Sequence, residues 1–436
     1  MAARDRAPFP HRSKSIHESG NGAAIAGGAS NSRSRRTGRL GPLRHRNFRV
    51  FYLGYTTSLL GSAMSAVALT FAVLDSGGGP ADLGFVFAAN VVPQAFVMIG
   101  GGVLADRVAR RRVMLVTDTL RVAVQGTLAA ALFTGRPPLW VFMVLAGLLS
   151  TGQGFFTPAL GGLRTEVAPR EQLSDANALL GVAASATAVI GPALAGVLIS
   201  VTSPAVVIAV DAASFGVSVV SLILLAVPPG RPAAQPPWRD LADGWAVFRS
   251  QTWLWLITVQ FALFNLFTWA PYLLLGPILA RQYLGGARAW GIIGAAMALG
   301  SVLTGLALVG QRPRRILLVA VTGTFGYALP CLALAAHAAL PVVVTAALAA
   351  GAGSAVFNTY ENTAMQQRIA PELLGRATSL SLTGSYALGS SGFAIIGSVA
   401  SVIGPSRLLY VAAAYSVLSS ALVLAAPAIR AVRWQD

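Results

Sequence analysis

The feature that most constrains the fold of this chain is a series of long apolar stretches separated by short polar loops. A helix needs about 20 apolar residues to cross the hydrocarbon core of a bilayer. Stretches of this length recur along the 436-residue sequence, which is 55% hydrophobic and 11% charged. They predict an all-α membrane protein with twelve spans, near residues 48–74, 82–104, 113–134, 138–161, 174–201, 204–227, 253–280, 287–310, 316–337, 340–363, 378–403 and 406–428.

The placement of arginine predicts the orientation of these spans, because cytoplasmic loops carry an excess of basic residues. With the N-terminus inside, the outer loops hold only Arg136, Arg281, Arg288 and Arg407. The inner loops hold Arg107, Arg110, Arg111, Arg112, Arg164, Arg170, Arg231, Arg239, Arg249, Arg312, Arg314, Arg315, Arg368 and Arg376. We therefore expect a multi-pass protein of the bacterial inner (cytoplasmic) membrane, with both termini in the cytoplasm.

Composition also argues against several kinds of site. The net charge of +17 comes from a tail and short loops rather than from one folded face, so it does not predict nucleic-acid binding. Cys331 is the only cysteine, and the four histidines are scattered, so neither a disulfide nor a metal site is expected. The sequence has no Walker A loop for ATP. We expect no cofactor and no enzymatic activity.

The first 47 residues form a basic segment rich in Arg, Ser, Gly and Asn. They lack the apolar core of a secretory signal peptide. Their composition predicts a disordered cytoplasmic tail. Two alternatives remain open: the start codon is placed too early, or the segment contacts anionic lipid through Arg33, Arg35, Arg36 and Arg39.

The two halves of the chain repeat each other. Residues 102–115 match residues 305–318, and residues 167–171 match residues 369–372, with offsets of 203 and 202 positions. Two anchors with nearly the same offset predict a duplicated six-helix unit. The predicted domains are a tail at 1–47, a six-helix bundle at 48–227, a cytoplasmic linker at 228–252, a second bundle at 253–428 and a tail at 429–436.

The loop after the second span identifies a family. Residues 102–111 read Gly-Val-Leu-Ala-Asp-Arg-Val-Ala-Arg-Arg, which resembles the signature Gly-x-Leu-Ala-Asp-Arg-x-Gly-Arg-Arg of the major facilitator superfamily (MFS). Residues 46–62, the Asp118-x-x-Arg121 pair and residues 167–169 with 369–376 are similar to the branch that includes the enterobactin exporter and the macrolide efflux proteins. The resemblance implies the MFS fold, in which two pseudo-symmetric six-helix bundles hold the substrate between them.

The resemblance implies that this loop controls gating, through Gly102, Asp106, Arg107, Arg110 and Arg111. Its acidic residue would face the N-terminus of a helix in the other half and hold the cytoplasmic side shut. The alternative is that these residues only obey the positive-inside rule. The sequence departs from the family pattern because Ala109 replaces a glycine and Val309 replaces the acid in the second copy.

Asp118 and Arg121 lie three residues apart inside the third span, and therefore on one helix face. Ionisable groups within a membrane are costly unless they are paired or solvated. We expect an ion pair that also reaches the arginine-rich loop and belongs to the same gate. The alternative is that Asp118 binds a proton, although a neighbouring arginine favours the charged carboxylate.

Glu361, near the cytoplasmic end of the tenth span, is a second candidate for proton coupling or for binding a cationic substrate. A salt bridge to Arg164 or Arg368 is the alternative. Asp211, in the sixth span, is expected to serve packing or capping.

In the fifth span, Gly191, Pro192 and Gly196 partly match a motif found in MFS exporters. These small residues permit close helix contact.

Aromatic and amide side chains in the spans are candidates for lining the substrate cavity. Such groups suit a bulky, amphipathic organic ligand. The candidates are Tyr52, Tyr55, Ser58, Gln153, Gln260, Asn265, Trp269, Asn358 and Tyr386.

These features together predict a monomeric secondary transporter, acting on a small organic substrate with protons as the coupling ion. We expect an exporter of drugs, macrolides or siderophores that works by alternating access. An importer or facilitator of a nutrient is the alternative function, and a membrane receptor or scaffold without transport is a third possibility.

Overall fold

The computed structural model describes residues 41–105, 109–226, 249, 251–369 and 392–434. Short 3-10 turns at Gly41–Arg44 and Arg170–Gln172 precede α1 and α5. The long helices are α1 Arg46–Asp75, α2 Pro80–Ala105, α3 Arg110–Thr134, α4 Leu139–Val167, α5 Leu173–Val201, α6 Pro204–Leu224, α7 Thr252–Leu284, α8 Ala287–Ala307, α9 Ile316–Ala335, α10 Leu340–Arg368, α11 Gly392–Ile403 and α12 Pro405–Ala425. A short helix α13, Pro427–Ala431, follows.

These helices match the predicted spans in order, and most boundaries agree within a few residues. Within the described ranges, nine helices are long and apolar enough to cross a membrane. The helices α2 and α3 have 26 and 25 residues, and α11 is described over the second half of its predicted span. The all-α membrane fold is confirmed. Most of the predicted N-terminal tail and linker lies outside the described residues.

Proline and glycine set many of the helix ends. Pro80, Pro204 and Pro405 occupy the first position of α2, α6 and α12, where a missing N–H costs nothing. Gly285, directly after α7, and Gly404, directly before α12, have positive φ angles of 94° and 95°. The long helix α7 also contains two π turns, at Asn265–Trp269 and Ala280–Leu284.

The helices pack as two six-helix bundles. In the first bundle, α1 packs against α5 and α6, α2 packs against α4, and α3 packs against α4 and α6. In the second bundle, α8 packs against α10, while α9 packs against α10 and α12, and α7 packs against α12. The C-terminal ends of the odd-numbered long helices lie at one end, the odd-loop end, and those of the even-numbered long helices lie at the other, the even-loop end.

The bundles meet closely where α5 crosses α8. An ideal Cβ on Gly196 would lie 2.7 Å from the carbonyl oxygen of Ala287, and one on Gly291 would overlap the carbonyl oxygen of Pro192. Such close backbone approach requires glycine at both positions. The Gly191–Gly196 segment therefore lies at a tight contact between the halves, as its small residues suggest.

A second glycine contact joins the bundles where α2 crosses α11. An ideal Cβ on Gly84 would lie 2.5 Å from the carbonyl oxygen of Phe393, and one on Gly397 would lie 2.5 Å from that of Pro80. Beside this crossing, the rings of Phe87 and Phe393 stack with centroids 5.4 Å apart. Both glycine contacts lie toward the odd-loop end.

The distribution of the hydrophobic core agrees with these contacts. At the odd-loop end, one continuous core includes Val73 and Leu83 of the first bundle together with Leu279 of the second. At the even-loop end each bundle has a core of its own, built around Phe48 in the first and around Trp253 in the second. The bundles are therefore joined at the odd-loop end and have separate cores at the even-loop end.

An ion pair also connects the bundles at the odd-loop end. The carboxylate of Asp75 lies 3.1 Å from the guanidinium of Arg281, and the two side chains are 49% and 43% exposed. An exposed pair of this kind contributes about 0–1 kcal/mol. The glycine contacts and the shared core therefore determine the closure of this end.

We expect Gly291→Leu to separate α5 from α8, because the added side chain cannot fit against the carbonyl of Pro192. Spin labels at Glu171→Cys and Arg314→Cys, in a Cys331→Ser background, report the distance between the bundles at the even-loop end. This distance should shorten in the variant as the bundles rock toward the opposite closure. Gly216→Leu is the control, since nothing lies within 4 Å of that position. Identical distance distributions in parent and Gly291→Leu would contradict the expectation.

Candidate functional site

Three ionisable groups are buried together inside the first bundle. Asp118 and Arg121 of α3 form an ion pair of 3.1 Å and are 0% and 3% exposed. Asp211 of α6 is 1% exposed and lines the same cavity as Arg121. We call Asp118, Arg121 and Asp211 the charge cluster. Its pairing follows the i,i+3 spacing in the sequence, whereas the presence of Asp211 does not.

The ion pair is completed by neighbours on α4 and α6. The hydroxyl of Ser218 donates to Asp118 Oδ2 at 2.6 Å, and Nη2 of Arg121 donates to Gln153 Oε1 at 2.6 Å. The guanidinium also lies 4.5 Å from the ring centre of Phe156. Described hydrogen-bond partners of the pair therefore lie on α4 and α6, and its expected link to the arginine-rich loop stays a prediction.

Asp211 is held by neutral donors. The amide of Gln125 on α3 donates to Asp211 Oδ2 at 2.5 Å and to Ser65 Oγ on α1 at 2.7 Å. Ser214 lies one turn further along α6 and donates to the Asp211 carbonyl at 2.8 Å. Sequence reasoning assigned Asp211 to packing. The spacing of Asp118, Arg121 and Gln125 on one face of α3 was the signal that could have revealed the network.

Glycines on α1 let α6 approach the cluster. An ideal Cβ on Gly61 would lie 2.6 Å from Asp211 Oδ1, and one on Gly54 would lie 2.6 Å from the Cβ of Ser221. The two glycines are seven residues apart, which places them on the same face of α1. On the α1 side, the charge cluster is therefore enclosed by close backbone packing.

A cavity of about 200 Å³ adjoins the charge cluster inside the first bundle. It links the buried groups to the surface, because its lining includes the exposed side chains of Ser62 and Gln153. Its lining residues are Ser62, Ser65, Ala66, Leu69, Phe87, Asn90, Gln94, Arg121, Leu149, Ser150, Gln153, Asp211 and Phe215. Gln153 is thus the cavity candidate that contacts the cluster directly.

A polar stripe follows one side of α10 in the second bundle. Asn358 is exposed and donates to the carbonyl of Ser354 at 2.8 Å, and Asn362 donates to the carbonyl of Asn358 at 2.7 Å. Glu361 lies beside them and is partly buried. Polar side chains within a membrane segment face other protein groups or water rather than lipid.

Glu361 has no ion-pair or hydrogen-bond partner within the described part of the chain. Arg368, one expected partner, instead donates to the carbonyl of Arg433 at 3.0 Å. Nε of Arg164, the other expected partner, is buried without a hydrogen bond. The salt-bridge alternative for Glu361 is therefore not formed among the described residues.

The candidates on α1 take part in local packing. Tyr52 stacks on Phe48 with ring centroids 6.0 Å apart, and Tyr55 stacks on Phe51 at 5.7 Å. The hydroxyl of Ser58 donates to the carbonyl of Tyr55 at 3.0 Å. All three lie on the half of α1 toward the even-loop end. Tyr386, the candidate on the eleventh span, lies outside the described residues.

The candidates on α7 lie around a π turn. Asn265 opens this turn, and its amide donates to the carbonyl of Phe261 at 2.9 Å. Trp269 closes the turn and meets Tyr327 edge to face at 5.8 Å. One turn earlier, Oε1 of Gln260 is buried and has no hydrogen-bond partner among the residues that the structure describes. Single π turns occur often at functional sites, so α7 combines an irregular backbone with an unsatisfied amide.

The described part of the arginine-rich loop binds its own bundle. Arg110 pairs with Glu166 of α4 at 2.9 Å. Arg111 donates to the last carbonyls of α6, those of Leu222 and Ile223, at 2.7 Å each. Gly102 lies in α2, whereas Asp106 and Arg107 lie outside the described residues. The predicted contact of this loop with the other half stays a prediction.

We expect Arg121→Gln to destabilise the protein more than the double variant Asp118→Asn/Arg121→Gln. Removing one partner of a buried ion pair costs about 3–5 kcal/mol, whereas replacing both removes the uncompensated charge. The midpoint of thermal unfolding in detergent measures the difference. If the double variant unfolds at or below the unfolding temperature of the single variant, the uncompensated charge of Asp118 is not the cause of the destabilisation.

The structure consists of two helix bundles with polar interior surfaces. The sequence is similar to a known protein family and to named transport proteins. A family model described as Major Facilitator Superfamily matches residues 51–394. Macrolide efflux protein A of Streptococcus pyogenes is 26% identical over 346 residues, which cover 78% of this chain and 85% of that protein. The multidrug efflux pump Tap of Mycobacterium tuberculosis is 24% identical over 384 residues, 85% of this chain and 91% of that protein.

Solved transporter structures share the fold. The nucleoside transporter NupG superposes with a TM-score of 0.71 at 13% identity, over 87% of this chain and 98% of that chain. A bacterial homologue of the iron transporter ferroportin, in an inward-facing state, gives a TM-score of 0.67 at 17% identity, with the same two coverages. Together, the family match over residues 51–394 and the all-α membrane architecture show that this chain belongs to the Major Facilitator Superfamily.

Proposed function

We propose that this protein is a proton-coupled exporter of small, amphipathic organic compounds, and that macrolides are among them. The observation that carries the proposal is the two-bundle arrangement, closed at one end, in a chain whose relatives include a macrolide efflux protein and a multidrug efflux pump. The protein thus moves its substrate across the membrane without chemically changing it.

The arrangement of the cores supports alternating access. A transporter of this kind opens its central site to one side of the membrane at a time by rocking one bundle against the other. In the present state the odd-loop end is joined by the two glycine contacts. The opposite state requires those contacts to separate and the two even-loop cores to approach each other. The arginine-rich loop, with Asp106 and Arg107, would then form the gate at the even-loop end.

The orientation follows from the arginine distribution. The even-loop end carries most of the loop arginines, among them Arg312, Arg314 and Arg315, so it is the cytoplasmic end under the positive-inside rule. The state closed at the odd-loop end is then the one that receives substrate from the cytoplasm. Loading from the cytoplasm is what an exporter of the inner membrane requires.

The second bundle supplies the groups that suit such a substrate. The aromatic rings around the π turn of α7, including Phe261, Trp269 and Tyr327, offer flat apolar surfaces. The carboxylate of Glu361, which has no partner among the described residues, can pair with a protonated amine. Pockets that combine apolar surface with a few polar groups bind amphipathic ligands. We assign Glu361 to recognition of the cationic group of the substrate.

Expression of this protein in a drug-sensitive bacterium is expected to lower the intracellular level of radiolabelled erythromycin, because export opposes passive entry. A protonophore should restore accumulation to the level of cells with empty vector, because it removes the driving force. Accumulation that is unchanged, or that rises on expression, would contradict export. Export that persists in the presence of the protonophore would contradict proton coupling.

Glu361→Gln is expected to raise the KM for a permanently cationic substrate such as ethidium about tenfold or more, because the lost interaction with a charged group costs about 1.5–3 kcal/mol. The KM for a neutral substrate such as chloramphenicol should not change. Glu171→Gln is the matched control, because this exposed carboxylate lies on the turn before α5. If Glu361→Gln changes the KM equally for the cationic and the neutral substrate, Glu361 does not recognise the cationic group.

A further inference from the structure

We propose that the carboxyl group of Asp211 holds the coupling proton of the transport cycle, and that Arg121 controls its release. This inference rests on the proposed function. Its starting point is a count of charges: two carboxylates and one guanidinium are buried in the charge cluster, which leaves one negative charge uncompensated.

The surroundings of the cluster do not supply the missing positive charge. Helices α1, α2, α4 and α6 all contribute to the adjoining cavity, and α3 contributes Arg121. Within the described residues, the lining side chains are uncharged apart from Arg121 and Asp211. An uncompensated charge is expensive in a dry interior. One bound proton makes the cluster neutral.

The hydrogen bonds decide which carboxyl group carries the proton. Asp118 contacts the guanidinium of Arg121 directly and accepts from Ser218, so it is stabilised as a carboxylate. Asp211 Oδ2 accepts from the neutral amide of Gln125. Asp211 Oδ1 lies 3.3 Å from Ser214 Oγ, a long distance for such a bond. Because the Ser214 hydroxyl donates to the Asp211 carbonyl, its lone pairs can accept a hydrogen bond from Oδ1, so Oδ1 of Asp211 is the oxygen that we assign to the proton.

The position of Arg121 provides a means of release. Its guanidinium contacts Asp118 and Gln153, and it lines the same cavity as Asp211. If a substrate engages the exposed amide of Gln153, Arg121 loses that acceptor and is free to turn toward Asp211. The O–H bond of the Asp211 carboxyl then breaks, the proton passes to water in the cavity, and Arg121 is shared between Asp118 and the new carboxylate, so the cluster carries one net negative charge only while substrate is bound. Substrate binding and proton release are thereby coupled through one side chain.

Infrared spectroscopy of the purified protein tests the proton site without a substrate. Wild type at neutral pH should show the C=O stretching band of a buried, protonated carboxylic acid. Asp211→Asn should lack this band, and the control Glu171→Gln should retain it. Absence of the band in wild type, or its persistence in Asp211→Asn, would overturn the assignment.

The pH dependence of thermal stability gives a second readout. The folded state holds a proton that an unfolded aspartate releases above a pH of about 4, so wild-type stability should fall as the pH rises above about 4. The unfolding midpoint of Asp211→Asn should depend less on pH over this range, since an amide mimics the neutral carboxyl. If the unfolding midpoint of Asp211→Asn changes with pH as steeply as that of wild type, Asp211 does not hold the proton.

Transport in proteoliposomes tests the coupling role. One proton exchanged per substrate molecule allows a pH difference of one unit to support about a tenfold concentration ratio. Wild type should accumulate radiolabelled erythromycin in vesicles with an acidic lumen, above the level in protein-free vesicles. Asp211→Asn should lose this accumulation but keep exchange of labelled for unlabelled erythromycin, and Asp211→Glu should recover part of it.

The possible failures are distinguishable. If wild type does not respond to the pH gradient, the proposed proton coupling is wrong, while the infrared band still decides whether Asp211 is protonated. If a sodium gradient drives wild type instead, the cluster binds sodium and not a proton. If Asp211→Asn responds to the pH gradient as wild type does, or loses exchange as well, Asp211 does not hold the coupling proton.

Discussion

The structure of the first bundle depends on one physical constraint, which is the presence of a guanidinium inside the membrane. Arg121 is 3% exposed, and it is tolerated because Asp118, Gln153 and Phe156 together occupy its hydrogen-bonding directions and one face. Beside this pair, Gln125 joins Ser65 of α1 to Asp211 of α6 in a second set of hydrogen bonds. The interior of this bundle thus contains ordered hydrogen bonds in addition to its apolar core.

A second constraint acts between the bundles. Lipid is as apolar as a leucine side chain, so helix association in a membrane relies on close packing rather than on the hydrophobic effect. The crossings at Gly84 with Gly397 and at Gly196 with Gly291 meet this need at the odd-loop end. At these glycines the helix backbones touch each other directly, so no side chains interlock at the contact points themselves. When the bundles separate, the side chains that must repack are those beside these contacts, in the shared core and in the Phe87–Phe393 stack.

The sequence predicted what depends on single helices. The spans, the Asp118–Arg121 pair and the position of the Gly191–Gly196 segment follow from hydropathy, from i,i+3 spacing and from small side chains. The sequence did not predict what depends on contacts between helices. The bond from Gln125 to Asp211 joins α3 to α6, and the π turn at Asn265 has no local signature. The attachment of Arg110 and Arg111 to their own bundle likewise depends on tertiary packing.

The most direct test of the account measures which side of the membrane reaches the polar stripe of α10. Asn358→Cys is introduced into a Cys331→Ser background, since Cys331 is itself buried. A membrane-impermeant maleimide is then applied to right-side-out and to inside-out vesicles. The account predicts rapid labelling in inside-out vesicles, where the cytoplasmic side is exposed, and slower labelling when substrate is added. Labelling from the outer side alone, or equal labelling from both sides, would contradict closure at the odd-loop end and a cavity that opens to the cytoplasm.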